Sequence, residues 1–124
     1  MSNPQNVILA GGIAAFLAVL LGAFGAHGLK ASLNDYEMDV FKTAVQYHMM
    51  HALGLLVIGV LMHHYTSSYW HYAAWAMLAG IILFSGSLYV LAVSGIKWLG
   101  MITPIGGVCF LAAWLLLPLA ILHR

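Results

Sequence analysis

Charged side chains are scarce in this chain of 124 residues, where Lys and Arg number 4 and Asp and Glu number 3. Charged residues make up 6% of the sequence, against about 25% in ordinary soluble domains. So few charges cannot cover the surface of a water-soluble globule of this size. With 64% apolar residues and a mean hydropathy of +0.99, the composition excludes a soluble fold and predicts a membrane protein.

Cysteine and excess positive charge are also nearly absent. The single cysteine, Cys109, lies in an apolar run and has no second cysteine to bond, so we interpret it as a small buried hydrophobic residue. A net charge of +1 provides no basic surface for nucleic acid. We therefore expect membrane lipids, and not nucleic acid, as the partners of the protein.

The uncharged stretches define the predicted membrane spans. Residues 1–29, 43–96 and 98–123 contain no Lys, Arg, Asp or Glu, and each stretch exceeds the roughly 20 residues that a helix needs to cross hydrocarbon. The middle stretch is long enough for two crossings, and we interpret its polar, aromatic segment 63–71 as the turn between them. The chain 1–124 is thus predicted to be one all-α domain, a four-helix transmembrane bundle with spans at about 7–26, 40–62, 72–94 and 99–122.

A capping signal precedes the second span. Asn34 and, three residues later, Glu37 form the pattern of a capping box, and acidic residues lie at the positive end of the helix dipole. We therefore expect this helix to begin at residue 35, outside the hydrocarbon. A cleaved signal peptide is the competing interpretation of the first span, because 23–25 has a small-x-small pattern. The absence of Lys and Arg before the span argues against it.

Small residues and prolines indicate how the helices pack. In the fourth span, Pro104 and Pro118 each remove a backbone amide, so we expect a kink at both positions. The first span carries a stripe of small residues at every fourth position, which predicts a smooth surface for a neighbouring helix. The stripe consists of Ala10, Ala14, Ala18, Gly22 and Ala26.

Polar residues of the predicted spans gather in one half of the bilayer, beside the connections 27–39 and 95–98. We treat them as a candidate ligand-binding set, because polar groups within a membrane are costly unless they are bonded or functional. The set consists of His27, Thr43, Gln46, Tyr47, His51, Ser85, Ser87, Tyr89 and Thr103.

The second span contains two histidines with different predicted orientations. His48 lies about 100° from the centre of the polar face, whereas His51 belongs to it. A neutral imidazole that bonds a neighbouring helix is the simpler interpretation of both residues. The polar face, which we expect to point inward, consists of Thr43, Gln46, Tyr47, Met50, His51 and Gly54.

Metal binding, haem binding and proton-coupled transport have weaker support as functions of these histidines. The segment 48–51 offers copper ligands, but its two methionines cannot both share a face with both histidines. Histidines three residues apart cannot bind a haem from opposite sides, and no carboxylate lies deep in a span to drive proton-coupled transport. No catalytic set of the Ser-His-Asp, Cys-His or paired-carboxylate type is recognisable. We therefore predict no metal, no cofactor and no enzymatic activity.

The distribution of positive charge favours one orientation. With four crossings, Lys30, Lys42 and Lys97 lie on the side of the two connections, and Arg124 lies alone on the other side. The positive-inside rule therefore predicts that the connections 27–39 and 95–98 are cytoplasmic.

Four ordered motifs resemble a known family. They are Gly22-Ala23-Phe24-Gly25-Ala26-His27-Gly28-Leu29; Phe41-Lys42-Thr43-Ala44-Val45-Gln46-Tyr47 with His51-Ala52-Leu53; Phe84-Ser85-Gly86-Ser87-Leu88-Tyr89; and Thr103-Pro104-Ile105-Gly106-Gly107. Over nearly its whole length, the chain resembles domain-of-unknown-function family 423, a group of small bacterial inner-membrane proteins. The resemblance implies an integral inner-membrane protein with four helices, and it supplies no activity, ligand or catalytic residue.

Two functions follow as expectations. The first is a structural or interaction protein without catalysis, whose polar residues fix the bundle and contribute to a homo-oligomer or to contact with another membrane protein. The alternative is a small binding or transport module, whose polar residues line an intramembrane pocket for a small ligand, a lipid headgroup or a metal. Direct bonds between the polar side chains would favour the first function, and a cavity among them would favour the second.

Overall fold

The computed structural model describes residues 3–123, in which no strand occurs. All four of its long helices are apolar enough to cross a bilayer, which confirms the predicted all-α, four-helix transmembrane fold. Each predicted span lies within one of these helices, and the helices extend beyond the spans by a few residues. The helices are α1 (Pro4–Gly28), α2 (Asp35–His64), α3 (Tyr69–Ser94) and α4 (Lys97–Leu122).

Local sequence signals set two of the helix ends. At α2 the predicted capping box is confirmed, because the Glu37 amide donates to Asn34 Oδ1 at 2.8 Å and the Asn34 amide donates to Glu37 Oε1 at 3.0 Å. At the end of α3, Gly95 has φ +73°, a left-handed conformation that favours glycine and stops the helix. The helix α2 therefore begins at Asp35, as expected.

Two π-helical turns interrupt the helices, at Leu21–Gly25 in α1 and at Ile81–Ser85 in α3. A π turn adds one residue to the helical repeat and so rotates the residues that follow it. In α3 the side chains of Ser85 and Ser87, only two residues apart, are both buried. The helical periodicity of the sequence indicates neither turn.

The backbone at the start of α4 does not have the kink that was predicted at Pro104. Lys97–Met101 forms a 3₁₀ turn, regular α-helix begins at Thr103, and Pro104 lies in the first turn of this α-helix. A proline there costs no backbone hydrogen bond, because the first amides of a helix have no intrahelical acceptor. The kink predicted at Pro104 is therefore wrong, whereas Pro118 does lie inside the helix.

The helices α2 and α3 form the centre of the bundle, with α1 packed on α2 and α4 packed on α3. Small residues permit these close contacts, since a Cβ on Gly106 of α4 would lie only 2.7 Å from Phe84 Cα of α3. Of the predicted stripe on α1, Ala14 and Ala18 are buried, and Gly11, which lies outside the stripe, is buried too.

The connection between α1 and α2 and the connection between α3 and α4 lie at the same end of the bundle. A surface pocket there is lined by Glu37, Gly95 and Lys97. Lys30 and Lys97 are exposed at this end. Arg124, the positive residue predicted for the opposite end, lies outside the described residues. The comparison of charge between the two ends therefore stays a prediction.

Candidate functional site: an intramembrane polar network

Ser85 bonds α3 to α2. Its side chain is fully buried, and its Oγ donates to the backbone carbonyl of Ala44 at 2.7 Å. A buried hydroxyl without a partner is costly in a membrane, where no water replaces the missing bond. This bond therefore holds α3 on α2 at the level of Ala44.

His48 makes a second link between α2 and α3. Its Nδ1 lies 2.8 Å from the hydroxyl oxygen of Tyr89, and the two rings meet edge to face with centroids 5.9 Å apart. The imidazole also interacts with the backbone of Ala14 in α1. His48 thus connects three helices, although the candidate set derived from the sequence does not include it.

Ser87 and Thr103 link α3 to α4. Their hydroxyl oxygens are 2.7 Å apart, and Ser87 Oγ also lies 2.9 Å from the carbonyl of Phe84 in its own helix. Since a serine hydroxyl has one proton and two lone pairs, Ser87 can donate to Phe84 and accept from Thr103. The start of α4 is therefore bonded to the buried part of α3.

These bonds form one network that joins α2, α3 and α4. Among the fully buried side-chain nitrogen and oxygen atoms of residues 3–123, only His71 Nδ1, far from this network, lacks a partner. Direct bonds, and not a cavity, therefore satisfy the polar groups at the centre. We refer to the participating side chains as the polar network: His48, Ser85, Ser87, Tyr89 and Thr103.

Five residues of the candidate set lie apart from the polar network: Tyr47 and His51, which are described below, and His27, Thr43 and Gln46. His27 and Gln46 are exposed, and Thr43 donates to the carbonyl of Asp39 in its own helix at 3.0 Å. The prediction that the polar face of α2 points inward is therefore wrong at Gln46. It is also wrong at Met50, whose side chain is 45% exposed.

The buried face of α2 follows apolar residues instead of polar ones. Because α2 packs against both α1 and α3, its buried face is centred near His48, about 100° around the helix from the centre of the polar face. Apolar residues spaced three and four positions on either side of His48 are the signal that identifies this face. Its residues are Phe41, Ala44, His48, His51, Ala52, Gly54, Leu55, Ile58 and Gly59.

His51 lies in an aromatic cluster formed by Tyr47, His51, Phe84, Phe110 and Trp114. Its Nδ1 is 2.7 Å from the carbonyl oxygen of Tyr47, and since a carbonyl only accepts, Nδ1 carries the proton. The ring stacks on Phe110 with centroids 3.5 Å apart, and Trp114 meets it edge to face at 5.8 Å. Nothing polar in α4 marks Phe110 or Trp114 in the sequence, so neither belongs to the candidate set.

Two apolar grooves open sideways from the bundle. The first groove, of about 430 Å³, lies between α1 and α3, and its polar lining residues are His48 and Tyr89. The second groove, of about 470 Å³, lies between α2 and α4 and is lined by the aromatic cluster. In the first groove the histidine bonds to Tyr89, whereas in the second no described residue bonds Nε2 of His51.

His27 lines a separate pocket at the membrane surface. This pocket, of about 470 Å³, is lined by the connection between α1 and α2 and contains Lys30, Asp35 and Lys42. Within the part of the chain that the structure describes, no three His, Cys, Asp or Glu residues form a group that could hold a metal ion. The nine residues of the candidate set are thus divided between the polar network, the aromatic cluster and the surface.

Comparison with known proteins identifies the family. The family model described as "Protein of unknown function (DUF423)" matches residues 21–107. The chain belongs to this family. The UPF0382 membrane protein YwdK of Bacillus subtilis is 51% identical over 114 residues, which cover 91% of this chain and 93% of the relative. The UPF0382 membrane protein SH2409 of Staphylococcus haemolyticus is 48% identical over 110 residues, which cover 89% of each chain. No solved structure matches.

The DUF423 match includes the whole polar network. It begins at Leu21, the first residue of the π turn in α1, and ends at Gly107, one turn after Thr103. His51 also lies within it, whereas Phe110 and Trp114 lie beyond it. The resemblance derived from the sequence motifs is confirmed, and the chain is a DUF423 membrane protein with four candidate spans.

Proposed function

We propose that this DUF423 protein is a structural or interaction protein of the bacterial inner membrane that acts without catalysis. The polar network is the observation that carries the proposal, because its direct bonds join α2, α3 and α4. Interhelical hydrogen bonds in a membrane contribute about 0.6 kcal/mol each, so three contribute about 2 kcal/mol to one arrangement of the helices.

Location and orientation follow from the spans and the charges. Apolar helical spans are typical of the inner membrane, because proteins of the bacterial outer membrane are closed barrels. We propose that the connections 27–39 and 95–98 face the cytoplasm, because Lys30, Lys42 and Lys97 lie at that end.

The outer helices supply the surface for partners. Phe16 and Phe24 of α1 are 65% and 71% exposed, and Leu111 and Leu115 of α4 are 72% and 63% exposed. Apolar surfaces of this kind are stable only in lipid or against another protein. We propose that lipids cover these faces and that a second copy of the chain or another membrane protein docks on them.

A binding or transport module is the second candidate. The groove between α2 and α4 is the observation that favours it, because Nε2 of His51 has no partner there among the described residues. Transport has less support than binding, since the polar network occupies one half of the bilayer and no polar path continues through the other half.

The structural function is tested by removing one bond of the polar network. Tyr89→Phe removes the hydroxyl that lies 2.8 Å from His48 Nδ1 and keeps the ring. We expect the free energy of unfolding in SDS–detergent mixtures to fall by about 1 kcal/mol. Ser94→Ala is the control, because Ser94 is exposed and its Oγ bonds only to nearby backbone, donating to the carbonyl of Val90 and accepting from the amide of Ile96. Equal stability of the two variants would contradict the proposal.

A further inference from the structure

We propose that the groove between α2 and α4 binds a hydroquinone, a neutral aromatic ring with hydroxyl groups, and that Nε2 of His51 accepts a hydrogen bond from one hydroxyl. The inference goes beyond the structural function and rests on different side chains from those of the polar network. We call the site the His51 groove, and the residues on which the proposal depends are Tyr47, His51, Phe84, Gly107, Phe110 and Trp114.

His51 presents a hydrogen-bond acceptor to the groove. Nδ1 donates its proton to the Tyr47 carbonyl at 2.7 Å. A second proton on the ring would place a charge deep in hydrocarbon, which is costly, so Nε2 carries a lone pair. The side chain is 3% exposed, yet Nε2 is not among the fully buried atoms without a partner, so this atom stays accessible from the groove.

The depth of His51 excludes charged ligands. His51 is the central residue of the span 40–62, so it lies about 16 Å along the helix from either end at a rise of 1.5 Å per residue. A phosphate ion or the headgroup of a phospholipid is charged and stays at the water interface. The donor that pairs with Nε2 therefore belongs to a neutral molecule that dissolves in hydrocarbon and carries a hydroxyl group.

The lining of the groove favours a flat ring over an acyl chain. The rings of Tyr47, Phe84, Phe110 and Trp114 offer both stacked and edge-on contacts, which aromatic ligands use and acyl chains do not. The Tyr47 hydroxyl also has no partner among the described residues and lies one turn before His51. An acyl chain would leave Nε2 of His51 unpaired, whereas a phenolic hydroxyl can donate to it.

The same geometry predicts selectivity for the reduced ring. A hydroquinone has hydroxyl donors, whereas the corresponding quinone has only carbonyl acceptors. The Tyr47 hydroxyl can bond either form, so the difference in affinity depends on Nε2 of His51. A quinone carbonyl oxygen and Nε2 of His51 are both acceptors without a proton, so no hydrogen bond forms between them. The His51 groove should therefore bind hydroquinone more tightly than quinone.

The test uses three probes that share one carbon skeleton: tetramethylhydroquinone, tetramethylbenzoquinone and tetramethylbenzene. The full chain, labelled with ¹⁵N-histidine and reconstituted in lipid nanodiscs, is titrated with each probe without oxygen. We expect the hydroquinone to bind saturably and to shift the Nε2 resonance of His51, while the His48 resonances stay in place. The quinone and the hydrocarbon should bind about tenfold more weakly, a difference of about 1.4 kcal/mol.

Variants separate the His51 groove from the polar network. His51→Phe keeps a ring against Phe110 and removes Nε2, so hydroquinone affinity should fall about tenfold. Gly107→Leu places a side chain in the groove and leaves His51 intact; its Cβ meets no atom closer than Phe84 Cδ2 at 4.0 Å, and binding should be lost. Tyr89→Phe weakens the polar network in the other groove and should leave binding unchanged.

Three results would overturn the proposal. Equal affinity for all three probes, or normal hydroquinone binding by both His51→Phe and Gly107→Leu, would mean that the groove is an apolar surface covered by lipid chains. A stable dimer whose His51 resonance ignores every probe would mean that a second copy of the chain covers it. Because Tyr89→Phe reports on stability and His51→Phe on affinity, failure of one proposal leaves the other intact.

Discussion

At Gly106 α4 packs directly against the backbone of α3 at Phe84, and replacing Gly106 with alanine should separate the two helices. A Cβ at this position would lie 2.7 Å from Phe84 Cα and 2.8 Å from Phe84 Cβ, and would also contact the Phe84 amide nitrogen. Backbone atoms cannot move aside by a change of rotamer. Since carbon atoms pack at about 3.5–4.0 Å, the helices must separate locally by about 1 Å.

The expected loss of stability follows from three contributions. Overpacking costs about 1–3 kcal/mol. The separation also stretches the 2.7 Å bond between Ser87 and Thr103, which lies one turn before Gly106, and its loss costs about 0.6 kcal/mol. Alanine is a better helix former than glycine and returns about 1 kcal/mol. We therefore expect Gly106→Ala to lower the free energy of unfolding by about 1–2 kcal/mol.

The neighbouring glycine provides a matched control. A Cβ at Gly107 meets no atom closer than 4.0 Å, so Gly107→Ala gains helix propensity without a clash. Both variants are unfolded with SDS in detergent micelles and followed by tryptophan fluorescence. If Gly106→Ala is as stable as Gly107→Ala, the helices tolerate a side chain at Gly106, and close backbone packing of α3 on α4 is refuted.

Three further predictions test other parts of the structure. Ser85→Ala removes the fully buried hydroxyl that donates to the carbonyl of Ala44, so the free energy of unfolding in SDS should fall by about 1 kcal/mol. A fall no larger than that of Ser94→Ala would contradict this bond. Asn34→Ala removes the capping box of α2 at a cost of about 1 kcal/mol, which hydrogen exchange should detect as faster exchange of the amides of residues 35–38; unchanged exchange would mean that the cap does not hold the first turn. A reporter enzyme that works only in the periplasm should be active when it is fused after residue 124, because four crossings place both termini opposite the lysine-bearing connections. An inactive periplasmic reporter, together with an active cytoplasmic one, would reverse the proposed orientation.

The four helices could be predicted because the bilayer imposes a simple rule on composition. Each crossing requires an uncharged stretch of about 20 residues, so Lys97 marks the start of α4, and Lys42 marks the start of the uncharged part of α2. The start of α2 could also be predicted, because the capping box at Asn34 and Glu37 depends only on residues three positions apart. Signals that act within one helix are readable before any packing is known.

The interior of the bundle depends on contacts that no single helix encodes. A kink was expected at Pro104 because the sequence pattern does not show that a 3₁₀ turn at Lys97–Met101 delays the start of the α-helix to Thr103. Gln46 shares a helical face with His51, yet it is exposed because α1 and α3 cover α2 from the side of Phe41 and His48. Polarity alone therefore predicts which half of the bilayer contains the site, but not which side chains meet there.

His48 and His51 illustrate how two buried histidines on one helix can differ in function. His48 bonds Tyr89 of α3, so its removal leaves a partner hydroxyl unpaired inside the bundle, which is costly. Among residues 3–123, the side chain of His51 bonds only to the carbonyl of Tyr47 in its own helix, which also accepts from the backbone amide of the next turn. An apolar ring at residue 51 would keep the stacking on Phe110 and leave no group of the bundle unpaired. We therefore expect His51→Phe to unfold at the same SDS concentration as the wild type, whereas His48→Phe unfolds at a lower one. If His51→Phe unfolds at an SDS concentration as low as that of His48→Phe, or lower, His51 contributes to packing. That result would assign His51 to the structure of the bundle and not to its groove.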